Sequence, residues 1–334
     1  MGWHDRRIGI EIECESTSRT YHDCARYLRG RRAGDLWLAE QDGSLRGGDF
    51  GWEIKTRGEH GQPASEVRHA LDSLMPLLMD SSGIWRAAVH THVDARDLTT
   101  LQLSKLMAIL YTVDQDIFNR FSPQRTESNF CVPLLNITPH VMSTIGALRE
   151  GIRDVVWNKY SSCNFAALSR FGTVEFRHMQ TPKIDTSLGS VQAGLGLIWE
   201  FALVATRLVS MIQDHPRRSL ASLIEIAANI VGTSVNYERA YVVMSTISGS
   251  TQATITDADL GSLYIASTGV AFDESNTHVL PDDMDRVLHR LRNPNVLDLA
   301  TTREDTDTYE DDVGYDYDVV MADELEEDDM REER

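Results

Sequence analysis

Three short segments of the chain alternate ionisable and apolar side chains. The segments are residues 7–13, 88–94 and 173–177, and each contains a pair of ionisable residues two positions apart, Glu11 and Glu13, His90 and His92, and Glu175 and Arg177. Because successive side chains of a β-strand point to opposite faces, the pattern predicts three strands with their ionisable groups on one face. If the strands lie in one sheet, that face carries three carboxylates, two imidazoles and a guanidinium. Such a surface suits divalent metal ions and a polyphosphate.

A solvated sheet face is the alternative interpretation, since one face of an antiparallel sheet is often exposed and polar. The segments between the three strands favour a site instead. An Asp-Gly-Ser turn at 42–44 carries a hairpin signal, and the alternating segment 51–56 places Glu53 between apolar residues. A Lys-Tyr pair and an asparagine at 159–164 then precede the third strand.

In order and spacing these motifs resemble the amidoligase family, which comprises ATP-dependent carboxylate–amine ligases related to glutamine synthetase and glutamate–cysteine ligase. The motifs are Gly9-Ile10-Glu11-Ile12-Glu13, Asp42-Gly43-Ser44, Glu53-Ile54-Lys55-Thr56, His90-Thr91-His92, Lys159-Tyr160…Asn164 and Glu175-Phe176-Arg177. The resemblance covers roughly residues 7–205. The chain departs from the family where Lys55-Thr56-Arg57 replaces a small residue and proline, and where Ala88-Val89 replaces the glycine that often precedes the histidine strand.

The resemblance implies an α+β fold of the glutamine synthetase type. We therefore expect a curved antiparallel sheet, a half-barrel, with the ionisable residues on its concave face and helices packed on its outer face. The implied activity is ATP- and Mg²⁺-dependent (or Mn²⁺-dependent) amide formation through an acyl phosphate. The implied substrates are small-molecule or peptide amines and carboxylates, in bacteria, fungi or bacteriophages.

Charge assigns roles to the ionisable residues. Mg²⁺ takes oxygen ligands, often one or two carboxylates together with phosphate oxygens. The predicted metal ligands are Glu11, Glu13, Glu53, His90, His92 and Glu175, and the histidine that binds metal stays undetermined. Arg177 is the predicted donor to the γ-phosphate, because a guanidinium is a forked donor that does not deprotonate. Four glutamates so close should repel one another, and at least one should have a raised pKa.

Further candidates each have an ordinary alternative. Lys159 is a phosphate ligand or a surface lysine, Asn164 holds substrate or caps a turn, and Arg125 binds the substrate carboxylate or is a solvated loop arginine. Tyr160 is a nucleotide platform or a core residue. The resemblance places Asp42-Gly43-Ser44 near the site, although Asp42 and Ser44 can equally serve the hairpin alone.

Two other classes of function stay open. A metal-dependent hydrolase would use His90 and His92 as zinc ligands, but zinc sites favour nitrogen and sulfur and carry few carboxylates. A non-catalytic interaction protein would retain the fold and use its acidic tail. The presence of all metal-type residues argues against the second alternative.

Composition agrees with a cytoplasmic globular enzyme. A chain of 334 residues can form one large domain or two with a substantial core. Four cysteines without Cys-x-x-Cys spacing predict reduced thiols, and we expect no signal peptide, since no apolar core follows residues 1–7. The longest apolar stretch, 193–212, is interrupted by Glu200 and Arg207 and predicts a buried helix without contact to a membrane.

Negative charge is concentrated at the C-terminus. From Arg303 onwards sixteen Asp and Glu stand against three Arg, which places −13 of the total charge of −19 in this tail. Such a segment is expected to be disordered. It serves solubility or contacts a basic partner, and nucleic acid is not an expected ligand. We predict a catalytic core at 1–215, a mainly helical continuation of the same domain at 216–302 and a disordered tail at 303–334.

Helical periodicity fills the gaps between the strands. Apolar residues recur with helical spacing in five stretches, 65–79, 101–121, 187–213, 220–231 and 237–247. Pro281 with the two aspartates after it predicts the start of another helix, and 248–276 is predicted to be irregular.

Overall fold

The computed structural model describes residues 3–16, 19–29, 32–42, 45, 48–58, 61–79, 81–82, 87–152 and 156–249. These residues belong to one compact unit, Met1–Asn276. The unit combines helices with one antiparallel sheet, and the predicted α+β class is confirmed. The predicted helix at Pro281, most of the predicted irregular stretch at 248–276 and the acidic tail at 303–334 lie outside the described residues.

The strands form one sheet. They are β1 (Arg7–Ser16), β2 (Trp37–Gln41), β3 (Gly51–Thr56), β4 (Gln62–Pro63), β5 (Ser81–Ser82), β6 (Ala88–Asp94), β7 (Cys163–Asn164) and β8 (Thr173–Gln180). The hydrogen-bonded order is β2-β3-β1-β6-β8-β7, and β4 and β5 also pair with β1. All these pairings are antiparallel. The three strands predicted from alternation, β1, β6 and β8, are therefore direct neighbours.

The register gives the sheet one apolar and one ionisable face. The apolar face is formed by fully buried side chains, Ile8, Ile10, Ile12, Val93, Val174 and Phe176. On the other face Glu11 is the cross-strand partner of His90, and His92 is the partner of Glu175. Alternation along each strand thus places the predicted residues on one surface.

The long helices cover the apolar face. In chain order, the helices are α1 (Tyr21–Arg29), α2 (Ala64–Leu71), α3 (Met75–Leu78), α4 (Thr100–Phe121), α5 (Thr138–Arg149), α6 (Ala167–Phe171), α7 (Leu188–Asp214), α8 (Leu220–Val231) and α9 (Tyr237–Gly249). In contrast to the long helices, Phe171 at the end of α6 contacts His92 of the ionisable face. Helix α4 packs on β8, α7 packs on β6 and β1, and α8 packs on both helices. Helices α5 and α9 cover α4.

Local signals set the ends of the long helices. Thr99 and Gln102 form a capping box at the start of α4, and Ser187 caps α7. Gly232 ends α8 with φ = +81°, a conformation that favours glycine. The single helix predicted at 65–79 is wrong in one respect, because a 3₁₀ turn separates α2 from α3. Pro76 lies in the first turn of α3. Because proline has no backbone N–H, it cannot donate the hydrogen bond that would continue α2 through this point.

Helix α7 is long and apolar enough to cross a membrane by length and composition. Its most apolar window is 67% buried inside the fold. Its packing against the sheet and α8 is that of a core helix, as its sequence predicted.

A buried network joins α4 to the sheet. Asp114 Oδ1 accepts hydrogen bonds from Ser162 Oγ at 2.5 Å and from His178 Nε2 at 2.9 Å. Its Oδ2 accepts one from the backbone N–H of Leu134 at 2.9 Å. Asp114 and His178 are completely buried. The hydrogen bond between Asp114 of α4 and His178 of β8 thus connects the helix layer directly to the sheet.

Candidate metal and phosphate site

The ionisable face carries a compact group, Glu11, His90 and Glu175, whose ligand-type atoms lie within 4.8 Å of one another. His90 Nδ1 is 3.3 Å from Glu11 Oε2 and 3.4 Å from Glu175 Oε1. The three residues come from β1, β6 and β8, so strand pairing brings them together. His90 Nε2 is buried and has no hydrogen-bond partner in the described part of the chain. Two carboxylates and the Nδ1 atom of an imidazole are a donor set that fits a divalent metal ion.

The second imidazole, His92, lies beside this group. Its Nε2 is 3.7 Å from Glu11 Oε1 and 4.0 Å from Glu175 Oε1, while its Nδ1 is 3.0 Å from Thr173 Oγ1. Burial lowers the pKa of His92, but the charge of Glu175 and the hydrogen bond to Glu11 outweigh burial and raise it overall. His92 is therefore a charge partner of both carboxylates.

The two carboxylates of the group favour their ionised forms. Burial alone would raise the pKa of Glu11, but hydrogen bonds from His90 and His92 hold this pKa well below its usual range. Burial is also the largest effect at Glu175, and the charges of His92 and Arg177 reverse it and lower the pKa. Both groups thus present negative charge to a cation at neutral pH.

A β-bulge brings Arg177 to the group. The register of β6 and β8 shifts by one residue at His90, so that Arg177 and His178 both oppose it. Arg177 Nη1 donates to Glu175 Oε1 at 2.6 Å, and Nε donates to the carbonyl oxygen of Phe130 at 3.3 Å. Within the described residues these contacts use two of its five N–H donors. The remaining donors suit a phosphate.

Asn164 holds Glu175 from the other side. Its Nδ2 donates to Glu175 Oε2 at 2.7 Å, and its Oδ1 accepts the N–H of Ala166 at 2.9 Å. Both polar atoms of the side chain are engaged within the fold. Asn164 is therefore a positioning residue for Glu175 and also caps the turn that follows it.

Glu13 extends the carboxylate row along β1. Its Oε2 accepts the N–H of Ala88 at 2.7 Å, and its Oε1 lies 3.6 Å from His90 Nε2. Burial raises the pKa of Glu13, and the charge of His90 offsets this only in part. The charge of Asp42 adds to the increase. Asp42 therefore lies near enough to act on the site, whereas Ser44 is outside the described residues.

Arg125 is buried, with 2% exposure, so the alternative of a solvated loop arginine is wrong. Its Nε donates to the carbonyl oxygen of Arg177 at 2.8 Å. Its Nη1 is buried and has no acceptor among the residues that the structure describes. A buried donor without an acceptor is costly, which makes Arg125 a candidate for binding an anionic group of a ligand.

Glu53 lies next to an internal cation. Lys55 Nζ is 3.2 Å from Glu53 Oε1 and also contacts Glu40 Oε2. Burial and then the charge of Glu11 raise the pKa of Glu53 to about 7, although Lys55 opposes the shift. The sequence-based expectation of a raised pKa is thus met at Glu13 and Glu53, and not at Glu11.

Glu53→Gln is expected to stabilise the metal-free protein at pH 8 and to have little effect at pH 5. Glu53 has a pKa of about 7 in the folded chain against 4.5 ordinarily, so the folded state binds this proton more tightly. Stability therefore falls as pH rises from 4.5 to 7. Removing the titrating group should give about 1–3 kcal/mol at pH 8. Thermal unfolding in EDTA at both pH values checks this, and equal differences at the two values would contradict it.

A pocket of about 310 Å³ adjoins the metal-type group. Glu11 and His92 line it on one side, Lys55 and Arg57 supply cations, and Phe171 supplies an apolar wall. Such a mixture suits an anionic ligand with an apolar part.

Lys159 and Tyr160 lie at the surface. Lys159 is exposed, with its Nζ 5.1 Å from the centre of the Tyr160 ring. Tyr160 is half-buried and meets the 40%-exposed Phe130 edge to face, with ring centres 5.7 Å apart. The alternative of Tyr160 as a core residue is wrong, because its side chain is only half-buried. Phe130 links this aromatic pair to Arg177 through its carbonyl oxygen.

Three residues of the ionisable face that contact the candidate site were not predicted from the sequence. Glu40 and Lys55 lie on the ionisable face, and alternation in β2 and β3 was the signal that could have found them. Thr173, which contacts His92, is the first residue of β8, and no sequence pattern marks it as a site residue.

The ionisable face combines a candidate metal group, a guanidinium, an unsatisfied buried arginine and a pocket with cationic lining. Together these features can bind a metal–polyphosphate and offset charge on a moving phosphoryl group. No protein-family model matches the chain, and no curated protein matches it.

Proposed function

We propose that this protein is an ATP- and Mg²⁺-dependent carboxylate–amine ligase of the amidoligase type. The observation that carries the proposal is the convergence of Glu11, His90 and Glu175 on one sheet face, with Arg177 bound to Glu175. Under this proposal the sheet is a glutamine synthetase-like half-barrel whose ionisable face is the concave one, and the enzyme acts in the cytoplasm.

The metal site would be held by Glu11, His90 and Glu175. Bound Mg²⁺ or Mn²⁺ supplies positive charge to the phosphates and orients them. Glu13 lies beside this group, with its Oε1 3.6 Å from the other ring nitrogen of His90, Nε2.

Arg177 offsets charge on the transferred phosphoryl group. The acid's carboxylate oxygen attacks the γ-phosphorus, the bond to ADP breaks, and an acyl phosphate results. The amine nitrogen then attacks the acyl carbon, the C–O bond to phosphate breaks, phosphate leaves with the bonding electrons, and the nitrogen loses a proton to solvent to give the amide. Arg177 is already oriented by Glu175 and Phe130, so its other N–H groups can meet the phosphoryl oxygens without reorganisation.

The two ends of the site suit different ligands. The pocket beside His92, with Arg57 and Phe171, has the mixed lining that ATP requires. Arg125, with its unsatisfied Nη1, is the candidate for a carboxylate of the acid. Lys159 and Tyr160 lie at the surface, and they stay candidates for contact with a phosphate and with the nucleotide respectively.

The hydrolase alternative receives less support. A zinc hydrolase would need His90 and His92 as equivalent ligands, but His90 contacts two carboxylates and His92 is turned towards Thr173 through Nδ1. The group is rich in carboxylate oxygen, which suits Mg²⁺ better than Zn²⁺.

The proposal is tested with the full chain, ATP, Mg²⁺ and a panel of carboxylic acids and peptides. Hydroxylamine replaces the unknown amine, because it traps an acyl phosphate as a hydroxamate that iron(III) reveals by colour. We expect hydroxamate and ADP in equal amounts with the correct acid, and neither without Mg²⁺. Zn²⁺-dependent hydrolysis without ATP would favour the hydrolase, and a chain inert to all of these would favour an interaction protein.

A further inference from the structure

A second row of carboxylates crosses the sheet beside the metal-type group. Glu53 of β3 is the cross-strand partner of Glu13 on β1 and of Glu40 on β2. The row lies on the ionisable face, one pleat away from Glu11. Without a counter-charge, three carboxylates on adjacent strands would repel one another.

Lys55 supplies that counter-charge. Its Nζ is 3.2 Å from Glu53 Oε1 and contacts Glu40 Oε2. Lys55 is also the cross-strand partner of Glu11, and only 30% of its side chain is exposed. An ammonium group thus lies between the carboxylate row and the metal-type group.

Glu53 does not join that group. In the portion of the chain with described coordinates, the ligand-type atoms that converge around His90 belong to Glu11 and Glu175. Glu53 instead forms its ion pair with Lys55. A divalent ion at Glu53 would have to displace an ammonium that is already in contact.

We infer that Lys55 takes the place of a second divalent ion, so that this chain binds one metal ion and uses Lys55 as its second cation. The inference rests on the proposed function, because it concerns the same site. Paired metal ions act as a clamp on both sides of a phosphoryl transfer. An ammonium supplies a single charge that cannot exchange ligands or leave. Lys55 begins the segment Lys55-Thr56-Arg57, where the sequence departs from the amidoligase motifs that it otherwise resembles.

Manganese binding tests the inference. Purified full-length protein at high concentration is titrated with MnCl₂ alone, and loss of the free-ion electron paramagnetic resonance signal counts the bound ions. We expect one ion per chain for the wild type and two for Lys55→Met, which exposes Glu53 and Glu40 to the metal. The second ion should broaden the spectrum through coupling between neighbouring Mn²⁺ ions.

Matched variants separate charge from general perturbation. Lys55→Arg keeps the cation and should keep one ion, and Lys183→Met removes an exposed lysine far along the chain and should also keep one. Lys55→Gln repeats the test with a shorter polar side chain if the Met variant does not fold.

Each outcome has a defined meaning. Two ions in the wild type, or one ion in both Lys55→Met and Lys55→Gln, would overturn the inference and leave the proposed metal site intact. No bound ion in the wild type would refute the metal site of the proposed function, and the inference would fall with it.

Discussion

Glu11→Gln is expected to lower Mg²⁺-dependent ATP turnover by about 10²–10³-fold, since a metal ion supplies several kcal/mol of charge stabilisation and about 1.4 kcal/mol is a factor of ten. Glutamine preserves the shape of Glu11 but removes the charge that faces His90 and His92. Turnover is measured as the rate of ADP release at a saturating concentration of the carboxylic acid substrate.

Glu15→Gln is the matched control for this prediction. Glu15 lies on the same strand four residues after Glu11 and opposite Gly51, outside the metal-type group. Its variant should retain wild-type turnover. Full turnover in Glu11→Gln would exclude Glu11 as a metal ligand. Burial alone would raise the pKa of Glu11, but hydrogen bonds from His90 and His92 outweigh burial and hold this pKa well below its usual range. The ionised form of Glu11 therefore stabilises the folded state at pH 7. We expect that Glu11→Gln does not gain stability at this pH.

Asp114→Ala is expected to lower the free energy of unfolding by about 3–5 kcal/mol, because leaving a buried donor without its acceptor costs about 1–3 kcal/mol. The change removes the acceptor of three buried donors, on Ser162, His178 and Leu134. Each orphaned donor carries a desolvation penalty. Since domains are stable by only about 5–15 kcal/mol, much of the stability would be lost. Urea unfolding followed by far-ultraviolet circular dichroism measures it.

Asp116→Ala is the matched control on the same helix. Asp116 is 20% exposed and pairs with Arg239 at 3.5 Å, so we expect a cost below about 1 kcal/mol. Asp114→Asn keeps one acceptor and should fall between the two, which provides a measurement if the Ala variant does not fold. Equal costs at positions 114 and 116 would contradict the role assigned to the buried network.

The strands that form the site were predictable because their pattern is local. Alternation of ionisable and apolar residues located β1, β6 and β8, and helical periodicity located α4, α7 and α8 almost to the residue. Helix α1 was missed because only Cys24 and Leu28 of its nine residues are buried, so its apolar stripe is too narrow. Helix α5 was missed although its buried Val141 and Leu148 are spaced as one helix face.

The finer geometry of the site was not predictable, because it depends on contacts between distant residues. The bulge that sets Arg177 opposite His90 arises from strand pairing across 87 positions of sequence. The pair of Asp114 with His178 joins a helix to a strand, and neither residue has a local signal for the other. The role of Lys55 follows from which strands flank β3, which alternation alone does not specify.

The bulge in β8 has a consequence for dynamics. The side chain of Arg177 lies on the ionisable face, where it contacts Glu175, whereas its neighbour His178 contacts Asp114 in the core. The backbone next to Arg177 is therefore held in place by the contact of His178 with Asp114. Strand β8 also pairs with a neighbouring strand on each edge, β6 and β7. Amides of β8 should exchange with solvent only through large-scale opening of the domain. Under the proposed function, Arg177 would therefore be preorganised on a slowly exchanging strand, and ligand binding would have little left to order there.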